Sequence, residues 1–173
     1  MAPGYRNAME SRKQSFPPVV DAQVRLLVLG SLPGDRSLAE RRYYAHPQNQ
    51  FWRLMSPVAG TDLAALAYDD RLAALRTAHI GLWDVVASAQ RPGSTDAAMR
   101  DIEQHDLAGL AATLPDLRAI AFNGGTALRL GLRQLGALAQ RYAVVALPSS
   151  SPLHTVGIAA KQAAWSALSA HLR

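Results

Sequence analysis

Cysteine is missing from all 173 residues, which excludes disulfides, thiolate zinc sites and iron–sulfur clusters. No stretch approaches about 18 uninterrupted apolar residues, so no membrane-spanning helix is expected. The opening MAPGYRNAMESRKQSFPPVV has no continuous apolar core and does not read as a secretory signal. It is expected to be a mobile arm up to about Pro18, ahead of one domain over residues 19–173. A cytoplasmic location is the default that follows. Internal repeats and low-complexity segments are also absent. An apolar fraction of 49% against 18% charged residues is the balance of a chain that buries a core. Acidic residues are the scarcer sign, leaving a net charge of +5 and a pI near 10.1. Arginine supplies nearly all of the positive charge. Its planar fork suits a polyanionic partner, although a solvated, arginine-rich surface would give the same balance.

Four short apolar runs stand out: VRLLVLG (24–30), HIGLWDVV (79–86), LRAIAFN (117–123) and YAVVALP (142–148). Each is near-continuously apolar, as a strand covered on both faces must be. Helical patterns lie between and after them, over 49–60, 61–78, 105–115, 124–140 and 155–172. Long connections without helices are expected at 30–48 and 87–104. The alternation predicts an α/β fold, a three-layer α/β/α sandwich around a four-stranded, mostly parallel central sheet. In such sheets ligands bind beyond the carboxyl ends of the strands. The residues to read therefore follow Leu29, Val86, Phe122 and Leu147.

After the first run comes GSLPGDRSL. Gly30 and Gly34 permit tight turns and close approach of a ligand to backbone amides, but the pattern is neither a dinucleotide fingerprint nor a phosphate loop. Next is YYAHPQNQFW (43–52), with Tyr44 able to stack on a flat ring and Asn49 offering an uncharged donor and acceptor. Phe51 and Trp52 read as core residues of the following helix, and Asn49 could equally be its N-cap. The third strand ends in FNGG, where Asn123 either caps a helix or points an amide into a cleft. The fourth leads to LPSSSPLHT, a hydroxyl-rich turn suited to phosphate or to capping the last helix. No nucleophile elbow, metal-ligand cluster or carboxylate pair is visible. His46 and His154 are the imidazoles of these loops. Such a set suits a reaction in which the substrate's own electrons do much of the work.

These loops together resemble the uracil-DNA glycosylase superfamily, and within it the hypoxanthine (deoxyinosine) DNA glycosylase branch. The likeness covers about residues 24–170 and is carried by GSLPGDRSL…YYAHPQNQFW, GLWDVVASAQRPGSTDAAM, IAFNGG and LPSSSPLH. Most branches place Asn or Asp in the Gly-x-x-Pro-Gly turn, where Leu32 stands here. The second motif commonly starts with His-Pro-Ser or Asn-Pro-Ser, against Leu147-Pro148-Ser149 here. The hypoxanthine branch is similar in both respects, and its asparagine matching Asn49 takes the water-positioning role.

The resemblance implies a monomeric enzyme without metal or cofactor, acting on double- or single-stranded DNA that holds a deaminated base. The catalytic set would be Asn49, His46 and Ser31. Tyr44, Asn123 and the Gly30, Leu32, Pro33, Gly34 turn would bind the base. Ser149, Ser150 and Ser151 would grip phosphates, with Leu153 and His154 entering the vacated stack. No lysine occurs in these loops, so the expected product is an abasic site. Uracil or mismatch-specific activity is the alternative within the class. A non-catalytic nucleic-acid or nucleotide binder and a free-nucleoside hydrolase are the alternatives outside it.

Overall fold

The computed structural model describes residues 12–152 and 156–173. In chain order its strands are β1 (Arg12–Gln14), β2 (Leu26–Gly30), β3 (Ile80–Asp84), β4 (Val86–Gln90), β5 (Arg100–Gln104), β6 (Ala119–Asn123) and β7 (Ala143–Leu147). Its α-helices are α1 (Asp35–Glu40), α2 (Phe51–Ala59), α3 (Tyr68–Thr77), α4 (Leu107–Ala112), α5 (Gly125–Leu135) and α6 (Ile158–Ser166). The four apolar runs form one parallel sheet in the order β3-β2-β6-β7.

The period of two along each strand divides the core into two layers. Leu26, Val28, Ala119 and Ala121 face α2 and α6 through Phe51, Leu54, Met55 and Trp165. Leu27, Leu29, Ile120 and Phe122 face α4 and α5 through Leu107, Ala111, Ala127 and Leu130. The result is the expected three-layer sandwich. The second layer is tight at Gly131, where an added Cβ would stand 2.1 Å from the Phe122 ring. Gly131→Ala therefore gains about 1 kcal/mol of helix propensity and loses about 1–3 kcal/mol or more to overpacking. A lower urea midpoint with an unchanged slope is the expected result.

Three expectations are corrected. The segment 87–104 is not a plain connection: β4 and β5 pair antiparallel and β1 joins β4, giving a second, three-stranded sheet. Every residue of β5 is exposed, so it forms through ladder hydrogen bonds and carries no apolar signal. The segment 30–48 contains α1, a short helix burying Ser37 alone, too little for a periodic pattern. The expected mobile arm is packed from Arg12 onward. Phe16 meets Tyr43 edge-on at 5.1 Å, and the carbonyls of Phe16 and Pro17 accept from the Trp83 indole and the Tyr43 hydroxyl. Prolines donate nothing to a ladder, yet here their segment serves as acceptor.

Candidate functional site

The carboxyl ends of β2, β3, β6 and β7 open onto one cleft of about 510 Å³. Gly30, Asp84 and Asn123 stand at the strand tips, and Tyr44, Asn49 and Ser149–Ser151 close the walls. Tyr44, Asn49 and Asn123 thus border a single hollow. Gly30 lies beside Asp84 in the sheet register. A Cβ on Gly30 would stand 2.8 Å from Asp84 Oδ1 and 3.0 Å from the Tyr44 hydroxyl, so the floor admits only glycine.

Tyr44 has left-handed backbone, φ 54°, a conformation that costs a non-glycine residue free energy and is kept only when its surroundings hold it. Three contacts hold it here. Its ring stacks on Phe51 at 3.8 Å with planes 12° apart. The Trp52 indole donates to its carbonyl at 3.2 Å, and Asn123 Nδ2 donates to its hydroxyl at 3.3 Å. Phe51 and Trp52 are buried members of α2. Gln50, not Asn49, is the N-cap of that helix. Asn49 Oδ1 accepts from the Phe51 amide at 3.0 Å, which fixes the half-buried side chain and leaves its Nδ2 and one oxygen lone pair for other partners. His46 is exposed at the rim, its Nδ1 accepting from the Gln48 amide at 3.1 Å.

The Asn123 amide joins two loops. The Ser150 amide donates to its Oδ1 at 2.9 Å, while its Nδ2 donates to Ser150 Oγ at 2.9 Å as well as to Tyr44. A backbone N–H can only donate, so the orientation of this amide is determined. Ser150, expected to grip phosphate, is instead 1% exposed and directed inward, with its carbonyl accepting from the Gln50 amide at 3.0 Å. Ser149 and Ser151 remain half-buried at the cleft. Leu153 and His154 lie outside the described residues.

Ser31 Oγ donates to Asp96 Oδ2 at 2.8 Å, so its proton is directed to the loop between β4 and β5. Leu32, expected to bind the base, packs its side chain into the second core layer, although the residue still borders the cleft. Pro33 and Gly34 also border it, and the Ser94 hydroxyl closes over Gly34, accepting from the Asp35 amide at 2.9 Å.

The family model of the uracil DNA glycosylase superfamily matches residues 17–169. The chain belongs to this superfamily. It is similar to a hypoxanthine DNA glycosylase of Methanosarcina acetivorans, with 38% identity over 161 residues, 92% of this chain and 99% of that protein. A hypoxanthine DNA glycosylase of Methanosarcina barkeri is 44% identical over 113 residues, 65% of this chain and 72% of that protein. The fold is similar to a solution NMR structure of a Methanosarcina acetivorans protein provisionally named a uracil DNA glycosylase. That likeness has a TM-score of 0.81 and 39% identity, and it covers 93% of this chain and 98% of that one.

Three polar residues of this superfamily member escaped the sequence reading. Arg91 is fully buried and holds the Gly30–Gly34 turn from behind. Its guanidinium donates to the carbonyls of Leu32 at 3.3 Å, Pro33 at 2.6 Å and Gly93 at 2.9 Å. Asp84 is 3% exposed at the tip of β3. Burial pushes its carboxyl up to about 7; the Ser15 hydrogen bond and the Arg91 charge oppose that rise, and the Asp96 charge adds to it. The Asp96 carboxyl is also raised by burial, against the Ser31 hydrogen bond and Arg91. Asp84 sits inside the run HIGLWDVV, where the polar residue in an apolar strand was the available signal. Arg91 and Asp96 lie in a segment without periodicity, and their partners in the Gly30–Gly34 turn are distant in sequence.

Proposed function

We propose that this chain is a monofunctional DNA glycosylase that extrudes a deaminated base, hypoxanthine foremost, and hydrolyses its N-glycosidic bond. The observation that carries this reading is the shared hollow of Tyr44, Asn49 and Asn123 at the sheet tips. Similarity to two Methanosarcina proteins named hypoxanthine DNA glycosylases supports the choice of base.

A base in duplex DNA must leave the stack before its glycosidic bond is reachable, at a few kcal/mol and less from a mismatch. The face of Tyr44 turned away from Phe51 receives the ring, a contact of about 1–3 kcal/mol. Asn123 has both amide hydrogens and one lone pair committed to Ser150 and Tyr44. The remaining lone pair on Oδ1 accepts the N1–H of hypoxanthine. Adenine carries a lone pair at N1, and two acceptors would face each other without a proton between them. The ordered Ser150 contact thus turns a symmetric amide into a one-way reader.

As the bond breaks, the sugar becomes cationic. Asn49 cannot deprotonate water strongly, but its oxygen can hold a water against C1′, and an oxocarbenium ion needs position more than basicity. Flanking phosphates meet the hydroxyls of Ser149 and Ser151 and the amides that open α5 at Gly125 and Thr126, where the helix N-terminus favours anions. Lysine is absent from the described cleft wall, which supports release of an intact abasic site.

The test is a panel of duplexes carrying hypoxanthine, uracil or xanthine, scored by alkali-sensitive strand cleavage. Cleavage at hypoxanthine above the others is expected. Tight DNA binding without any abasic product would establish a non-catalytic binder instead, and equal hydrolysis of free inosine a nucleosidase.

A further inference from the structure

We propose that Asp84 is the acid of this site, donating a hydrogen bond and then its proton to N7 of the departing purine. The proposal rests on the reading of the chain as a purine-releasing glycosylase.

Its first support is geometric. The carboxyl stands at the tip of the strand beside Gly30, bordering the cleft. Its Oδ2 accepts from Ser15 Oγ at 2.8 Å, so the acid proton belongs on Oδ1. That oxygen faces the side of Gly30 where any Cβ would stand 2.8 Å away. Because Gly30 has no side chain, no Cβ stands between Oδ1 and the Tyr44 hydroxyl, and both residues border the cleft.

The second support is the company that the carboxyl keeps. Asp84 is in none of the ion pairs among the described residues. The groups around it are Ser15 from the segment after β1, Tyr43 and Tyr44 before α2, Asp96 between β4 and β5, and Arg91 after β4. Arg91 gives three of its five N–H groups to backbone carbonyls, and its carboxylate partner is Asp35 at 3.9 Å. A carboxyl that is buried, unpaired and near a second acid holds its proton to about pH 7. General acids work best when tuned near the operating pH.

The step balances. The C1′–N9 electron pair passes to the base while the Oδ1 proton passes to N7, so the base leaves neutral and Asp84 remains as carboxylate. Water adds its oxygen to C1′ and gives up one proton, which restores the acid. One water is consumed, and nothing is oxidised or reduced. Asn123 accepts from N1–H and Asp84 donates to N7, so two edges of one purine are read from opposite sides.

The experiment uses the full chain and single-turnover release of hypoxanthine from duplex DNA between pH 5.5 and 8.5. The wild-type rate should fall about tenfold between pH 6 and pH 8, as a group titrating near 7 loses its proton. Asp84→Asn should be at least about 100-fold slower at pH 6, with a flat profile. A second measurement separates this role from simple damage to the fold. Binding is compared for duplexes with 2′-fluoro-2′-deoxyinosine, which resists hydrolysis, and its 7-deaza counterpart. Asp84→Leu, which has no donor to offer N7, should weaken the first about tenfold and leave the second unchanged. A variant within threefold of wild type, a retained acid limb, or equal effects on both duplexes overturns the proposal. A wild-type chain that releases no hypoxanthine at any pH overturns the glycosylase reading itself.

Discussion

Asn49→Ala is expected to slow excision of hypoxanthine by about 10²–10³-fold, the range found when one aligned polar group is removed from a catalytic site. The same change should barely alter folding. Asn49 gives the α2 terminus a single hydrogen bond, to the Phe51 amide, and loss of such a bond costs about 1 kcal/mol. In a chain of this size that is a Tm shift of about 2–4 °C. Rate and stability therefore part company at this position. Single-turnover kinetics beside a thermal melt makes the comparison. Wild-type excision by the alanine variant would remove Asn49 from the catalytic set.

Arg91→Ala should show the opposite balance, with stability lost before any statement about chemistry. Three carbonyls would lose a charged donor, and each buried acceptor left alone costs about 1–3 kcal/mol. A loss of about 3–5 kcal/mol is expected from urea unfolding, a large share of the 5–15 kcal/mol typical of whole domains. Arg91→Lys keeps the charge but lacks the fork, so one ammonium cannot serve three diverging carbonyls. It should recover part of the stability. The turn would then be held loosely, and excision should fall further than the remaining stability alone explains. A stability loss below about 1 kcal/mol in the alanine variant would mean that the turn stands without its guanidinium.

The parts of the molecule legible in the sequence are those fixed by local pattern. LLVLG, and AIAFN up to its last residue, are without polar side chains because helices cover both faces, and their strands fall within the expected runs. The segment after the first strand carries Tyr44 and Asn49, Asn123 ends the other strand, and a parallel sheet brings its carboxyl ends together whatever the helices do. What was not legible depends on partners far along the chain. β5 reads as Arg-Asp-Ile-Glu-Gln, five exposed residues, and becomes a strand only because β4 offers it an edge. Ser150 looked like one of three equivalent hydroxyls; Asn123, 27 residues away, makes it a buried hub. Nothing local marks Arg91, and Ser31 was expected in the catalytic set; the structure brings Leu32 and Pro33 to the first and Asp96 to the second. The sequence reading also expected the cleft residues of the second run after Val86. The strand ends at Asp84, and that carboxyl itself forms part of the floor.

The most direct measurement is an NMR titration of the protein labelled at asparagine side chains. One duplex carries 2′-fluoro-2′-deoxyinosine, and another of the same sequence is undamaged. The side-chain amides of Asn49 and Asn123 should shift with the first duplex and stay in place with the second. Side-chain amides of Asn49 and Asn123 that stay in place, or that shift equally with both duplexes, would contradict a cleft that receives an extruded base.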